Sequence, residues 1–160
     1  MRIPLRLSLL AAALSITPLA FAAPALAAPH FQSATSSVNN DGALVVNFDE
    51  RGLGNANVDY TLTADATALY ACINGGGKNP SAANKQAFEG QVSGGGSFEV
   101  KNGRVVASLT AGPLLAPQFT CPNGQRRVLA AVTYTNIVLT DTTNNESTPV
   151  PDASRIFFNV

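Results

Sequence analysis

Few side chains in this chain of 160 residues are able to do chemistry: one histidine (His30), two cysteines (Cys72 and Cys121) and ten carboxylates. A serine or cysteine nucleophile needs a positioned base. His30 lies in a polar N-terminal segment, so neither a Ser-His-Asp set nor a Cys-His pair is assembled. Two cysteines without a neighbouring histidine do not complete a four-ligand zinc site. A hydrolase of glycosidic bonds needs two carboxyl groups about 5–9.5 Å apart. The candidates Asp49, Glu50, Asp59, Asp65, Glu89 and Glu99 fall mostly at polar strand positions or turns and read as a solvated face. Residues 141–146 (Asp-Thr-Thr-Asn-Asn-Glu) offer oxygen ligands but lack the spacing and central Gly of an EF-hand loop. They read as a turn, with a weak calcium site as the alternative. No cofactor is implied.

The segment best suited to holding a ligand is 74–85, where Asn74, Lys78, Asn84 and Lys85 surround Gly75-Gly76-Gly77. A Gly-rich loop turns its amides toward a phosphate or carboxylate. The segment is not a P-loop, because the Ser/Thr after Lys and the four-residue gap between glycines are missing. It reads as a long connection between strands, with a binding loop as the alternative. Asn145-Glu146-Ser147 fits the acceptor rule for N-glycosylation, which matters only in a eukaryotic host. Aromatics are sparse and Trp is absent, so a sugar-stacking platform is poorly supplied.

These residues sit in a chain with a clear address. Arg2 and Arg6 precede an apolar run from Leu7 to Phe21, and small-x-small sites follow at Ala20-Phe21-Ala22 and Ala25-Leu26-Ala27. This reads as a secretory signal over 1–27. The run is too short to span a bilayer, and Pro18 breaks it. Cleavage leaves about 133 residues, enough for one domain, with eight basic against ten acidic groups and a net charge near −2. That balance excludes an electrostatic nucleic-acid binder. No second apolar span follows, so the expected product is extracellular, with a glycan or protein as its partner. In an oxidising compartment Cys72 and Cys121 pair, closing a loop of about 50 residues.

The body of the chain alternates with period two. From Val58 to Cys72 every second residue is apolar, and the intervening positions up to Thr67 are polar. This predicts one long bent strand, or two strands meeting near Ala64-Asp65-Ala66. Past Thr67 the polar side fills with Leu69, Ala71 and Ile73, so both faces near Cys72 are covered. Shorter alternations start at Leu44, at Phe88 (up to the Gly94-Gly95-Gly96 break) and at Arg155. Asn102-Gly103 between β-prone runs predicts a hairpin. The stretch from Arg127 to Leu139 switches its apolar side at Thr135-Asn136, which implies a bulge. Ser81 to Phe88 is the one segment suited to a helical turn. The organisation expected is a signal peptide (1–27), a flexible N-terminal arm (28–42) and a single domain (43–160). The fold expected is all-β: an immunoglobulin-like antiparallel β-sandwich of about seven or eight strands with one disulfide, a small β-barrel being the alternative.

Four stretches carry a resemblance: Gly52-Leu53-Gly54-Asn55; Tyr70-Ala71-Cys72-Ile73-Asn74-Gly75-Gly76-Gly77-Lys78-Asn79-Pro80 with Ala83-Asn84-Lys85; Cys121-Pro122-Asn123-Gly124-Gln125; and Val132-Thr133-Tyr134-Thr135-Asn136. In this order they resemble a group of small secreted proteins of filamentous bacteria and fungi that carry no assigned activity. The resemblance implies one exported β domain with a single cystine, and no catalytic residues. The function expected is non-catalytic surface binding or an envelope or matrix role. The alternatives are a small carbohydrate or ligand module using 74–85, and a carboxylate-based hydrolase.

Overall fold

The computed structural model describes residues 27–77 and 84–160. Lys78 and the segment read as a secretory signal, apart from Ala27, lie outside them. The described residues form eight strands: β1 (His30–Val38), β2 (Leu44–Arg51), β3 (Val58–Ile73), β4 (Lys85–Phe98), β5 (Arg104–Ala111), β6 (Arg126–Asp141), β7 (Glu146–Val150) and β8 (Ala153–Ile156). All pairings are antiparallel. One sheet runs β1-β2-β5; the other runs β4-β3-β6-β7, with β8 also paired to β6. No helix among the described residues is long and apolar enough to cross a membrane.

The long alternation becomes a single strand, β3, of 16 residues. Its inward residues Val58, Tyr60, Leu62, Ala64, Ala66, Ala68 and Tyr70 are buried with Leu44, Val46 and Phe48 of β2 and Val105 and Leu109 of β5. Burying one such Leu or Val contributes about 1.5–3 kcal/mol. The expected bulge lies at Asn136, which adopts φ 50°. The β3–β6 register shifts there, between Thr63 and Asp65. This brings Ile137, Leu139 and Asp141 onto the side already held by Val132 and Tyr134. Near Cys72 both faces are indeed covered: Ala71, Ile73, Val128 and Ala130 form a second small core with Phe158 and Val160 of the C-terminal tail.

Four expectations need correction. The arm expected over 28–42 contains β1, hydrogen-bonded along β2. A register shift between Phe31 and Ser33 breaks its alternation, so that Phe31, Ala34 and Val38 all reach the core. The helical turn expected over Ser81 to Phe88 reaches no further than Asn84, which is in a 3-10 conformation, because Lys85 to Phe88 open β4. The glycine run does not end a strand, since β4 continues through it to Phe98. Asn102 and Gly103, at φ 53° and 71°, do make a tight turn closed by Lys101 and Arg104. The strands on either side, however, enter different sheets.

The glycine run has a steric reason. β4 and β5 are edges of opposite sheets, with no ladder between them, so the molecule is a sandwich and not a closed barrel. At Gly94 the two edges come so close that a Cβ would lie 2.0 Å from the Thr110 carbonyl oxygen. Only a residue without a side chain fits there. Gly94→Ala is therefore expected to lower stability by about 1–3 kcal/mol in urea unfolding, the usual range for overpacking. Gly75→Ala, with open space around it, serves as the control, and equal midpoints for the two variants would refute the seam.

Candidate functional site

At one end of the sandwich the chain between β5 and β6 is clamped down. The Cys72–Cys121 disulfide, with Cα atoms 5.6 Å apart, fixes it to the end of β3. Tyr70 donates its hydroxyl to the Leu114 carbonyl at 2.8 Å. Arg127 donates to the carbonyls of Ala116 and Phe119 and stacks over the Tyr70 ring. Phe88 meets both Tyr70 and Phe119 edge to face.

Of the ligand residues expected from the sequence, Asn74, Asn84 and Lys85 gather at this end. Asn74 turns back on itself: its side-chain oxygen accepts from the Gly76 amide and its carbonyl from the Gly77 amide. Asn84 donates to Gln125 at 3.1 Å, tying the segment to the cystine loop. Lys85 begins β4 opposite Ala71. These contacts are structural, and neither Asn84 nor Lys85 lines any of three surface clefts of ≈560, ≈300 and ≈220 Å³. Removing the cystine as Cys72→Ala/Cys121→Ala is expected to lower stability by roughly 4 kcal/mol, the loop-closure value for about 50 residues. It also frees the amides around Phe119 to exchange. An unchanged urea midpoint would show that the bridge is dispensable.

The largest of these clefts, ≈560 Å³, opens at the β4–β5 connection, between Phe98, Glu99, Lys101, Asn102, Arg104, Val105 and Val106. Its size is that of a small-ligand pocket. Arg104 is oriented from behind by a two-point pair with Asp49, Nε to Oδ1 at 2.8 Å and Nη2 to Oδ2 at 2.7 Å. Arg51 reaches the same carboxylate. The two guanidinium groups hold the Asp49 carboxyl down at about 2. Nη1 of Arg104 takes no part in this pairing and carries two further N–H donors. Glu99 and Lys101 form an exposed pair at the rim. The sequence did not single out this cleft, because Asp49 and Arg104 lie 55 residues apart. The Asn102-Gly103 turn was its one visible sign.

Carboxylates meet in two other places. Asp65 and Glu89 line a shallow groove of ≈300 Å³ on the outer face of the five-stranded sheet. There Asn136 and Gln91 donate to Asp65 and hold its carboxyl below the usual range. Glu50 and Asp141 lie inside the sandwich, at the end opposite the cystine, both fully buried. Asp141 is occupied by its hairpin: Oδ1 accepts from the Thr143 and Asn144 amides and Oδ2 from the Asn144 side chain. No group of three or more His, Cys, Asp or Glu among the described residues is placed to hold a metal ion. Glu50 is different: Tyr60 and Asp141 lie beside it, yet among the described residues neither of its oxygens completes a hydrogen bond, and neither does the Tyr60 hydroxyl. Burial pushes the Glu50 carboxyl up to about 7, with the negative charges of Asp141 and Glu146 adding to the shift. The same burial raises the Tyr60 phenol.

Comparison with protein-family models, curated proteins and solved structures found no match.

Proposed function

We propose that this chain is an exported, non-catalytic binding domain whose ligand site is the cleft between Phe98 and Val106. The observation that carries the reading is Arg104: it lines a ligand-sized concavity while Asp49 holds its guanidinium in place. A pre-oriented guanidinium with free donors, beside an amide and apolar surface, suits a carboxylate or a hydroxyl-rich group. The ligand class is an extracellular glycan, acidic ones above neutral ones. Export rests on the signal read over 1–27 and is supported by the cystine, which persists in oxidising compartments. The resemblance to small secreted proteins of filamentous bacteria and fungi belongs to the same reading. So does an immunoglobulin-like architecture: β1-β2-β5 opposite β4-β3-β6-β7 follows the order A-B-E opposite C′-C-F-G. The cystine departs from that pattern, joining β3 to the β5–β6 connection.

The hydrolase alternative is less well supported. The carboxyl with the raised pKa, Glu50, is sealed from solvent, whereas an acid catalyst must reach its substrate.

The test is binding of the secreted domain to a panel of neutral and acidic polysaccharides. Arg104→Ala is expected to weaken binding at least tenfold, about the value of one charge-assisted hydrogen bond. Asp49 keeps Arg51 as partner, so the fold should persist. Binding that survives Arg104→Ala but is lost in Asn84→Ala or Lys85→Ala would move the site to the cystine end.

A further inference from the structure

Glu50, Tyr60 and Asp141 are enclosed together at one end of the sandwich. Glu50 alternates with Leu44, Val46 and Phe48 on the inward side of β2, and it is as buried as they are. Across the interior it faces Tyr60 of β3 and Asp141 of β6, which are direct partners in the β3–β6 ladder. Glu146, at the start of β7, pairs with Asp141. The strands flanking β2 place apolar residues beside Glu50: Phe31 on β1 and Val105 on β5. Asp49, Arg51 and Arg104 form their own ion-pair group, and His30 is engaged with the Ala28 carbonyl. Among the described residues, no cation is paired with Glu50.

Two buried carboxylates and a phenol contain too few hydrogens. With both acids ionised, the Tyr60 O–H is the one side-chain donor for the orphaned oxygens, and two like charges face each other out of water, an arrangement that is strongly disfavoured. One added proton corrects both faults. Protonated Glu50 donates to Asp141 and accepts from Tyr60, so the three orphaned atoms gain partners after small side-chain adjustments.

We propose that Glu50, Tyr60 and Asp141 form a proton-operated latch that holds this end of the sandwich shut while Glu50 is protonated and releases it when the proton is lost to solvent. What the latch covers is an aromatic cluster. Phe31, Phe48, Tyr60 and Phe98 pack edge to face or tilted, with ring centroids 4.7–6.4 Å apart. Release exposes these rings. It also loosens Phe98 and Val105, which wall the large cleft. The latch does not depend on that cleft binding anything.

The direction with pH follows from linkage. The folded-state carboxyl titrates at about 7, against 4.5 for an ordinary glutamate. Between these values the folded chain holds a proton that the unfolded chain has given up. Stability from this group is therefore complete below about pH 4.5, declines as pH rises, and is gone above about 7. Across that window the opening equilibrium rises by up to about 300-fold.

Two measurements on the secreted domain test the latch. Carbon-13 NMR of the side-chain carboxyls reads Glu50 directly in the unmodified protein, and its titration near neutrality is expected. Titration in the ordinary glutamate range would overturn the proposal. Urea unfolding between pH 4.5 and 8 is expected to show a falling midpoint in the wild type and a flat one in Glu50→Gln, whose amide remains a donor at every pH. The same slope in both proteins would overturn it. Restoration of the wild-type midpoint at pH 8 by millimolar calcium would also overturn it, since a cation and not a proton would then be the occupant. If Glu50→Gln fails to fold, the carboxyl titration decides alone.

Discussion

The five-stranded sheet is built on β3, and the other sheet packs against its inward face. The strand is hydrogen-bonded on both edges, to β4 along one and to β6 along the other. Its inward residues occupy the middle of the core. Side chains alternate with period two, so a slip of one residue between β3 and β6 would send Leu139 and Asp141 outward and bring threonines in. The bulge at Asn136 prevents this. Its side chain bonds Asp65 on β3 at 2.8 Å, so the residue that resets the phase is also pinned to the strand it must match.

The two ends of this frame are secured by different physics. At one, a covalent bridge, a guanidinium and a phenol hold irregular backbone against the sheets, a device independent of proton concentration near neutrality. At the other, closure depends on polar groups shut away from water among aromatic rings. The ligand-sized cleft opens at this second end, and the residues in front of it, Phe98 and Val105, share the interior with Glu50. If binding needs a firm wall there, the affinity of the cleft and the charge on Glu50 are parts of one problem.

What could be read from the sequence, and what could not, follows from the range of the forces involved. The β3 alternation, the phase switch in β6 and the single cystine are properties of short stretches or of a unique pairing, and each was legible. β1 was not, because a register shift after Phe31 and a run of Ser and Thr hide its inward side. Gly94 read as a break because its reason, the Thr110 carbonyl, lies on another sheet. Glu50 read as part of a polar turn, since Asp49-Glu50-Arg51 has the composition of a surface loop. Its burial is set by the alternation that begins at Leu44, carried two residues further than polarity suggests. Asn84 and Lys85, read from the sequence as candidates for a ligand loop, lie at the clamped end, where Asn84 bonds Gln125 and Lys85 opens β4. The cleft itself is built from partners too distant in sequence to be joined by inspection.

The seam at Gly94 bears on how this molecule behaves in company. An uncovered sheet margin offers a row of backbone donors and acceptors to any passing strand, and long flat margins are how β proteins stick to one another. Here β4, 14 residues long and glycine-rich, would be such a margin. By drawing β5 against it, the missing side chain lets each sheet guard the other's border. A protein with little charge to keep its copies apart thereby gains protection against self-association from the absence of a single methyl group.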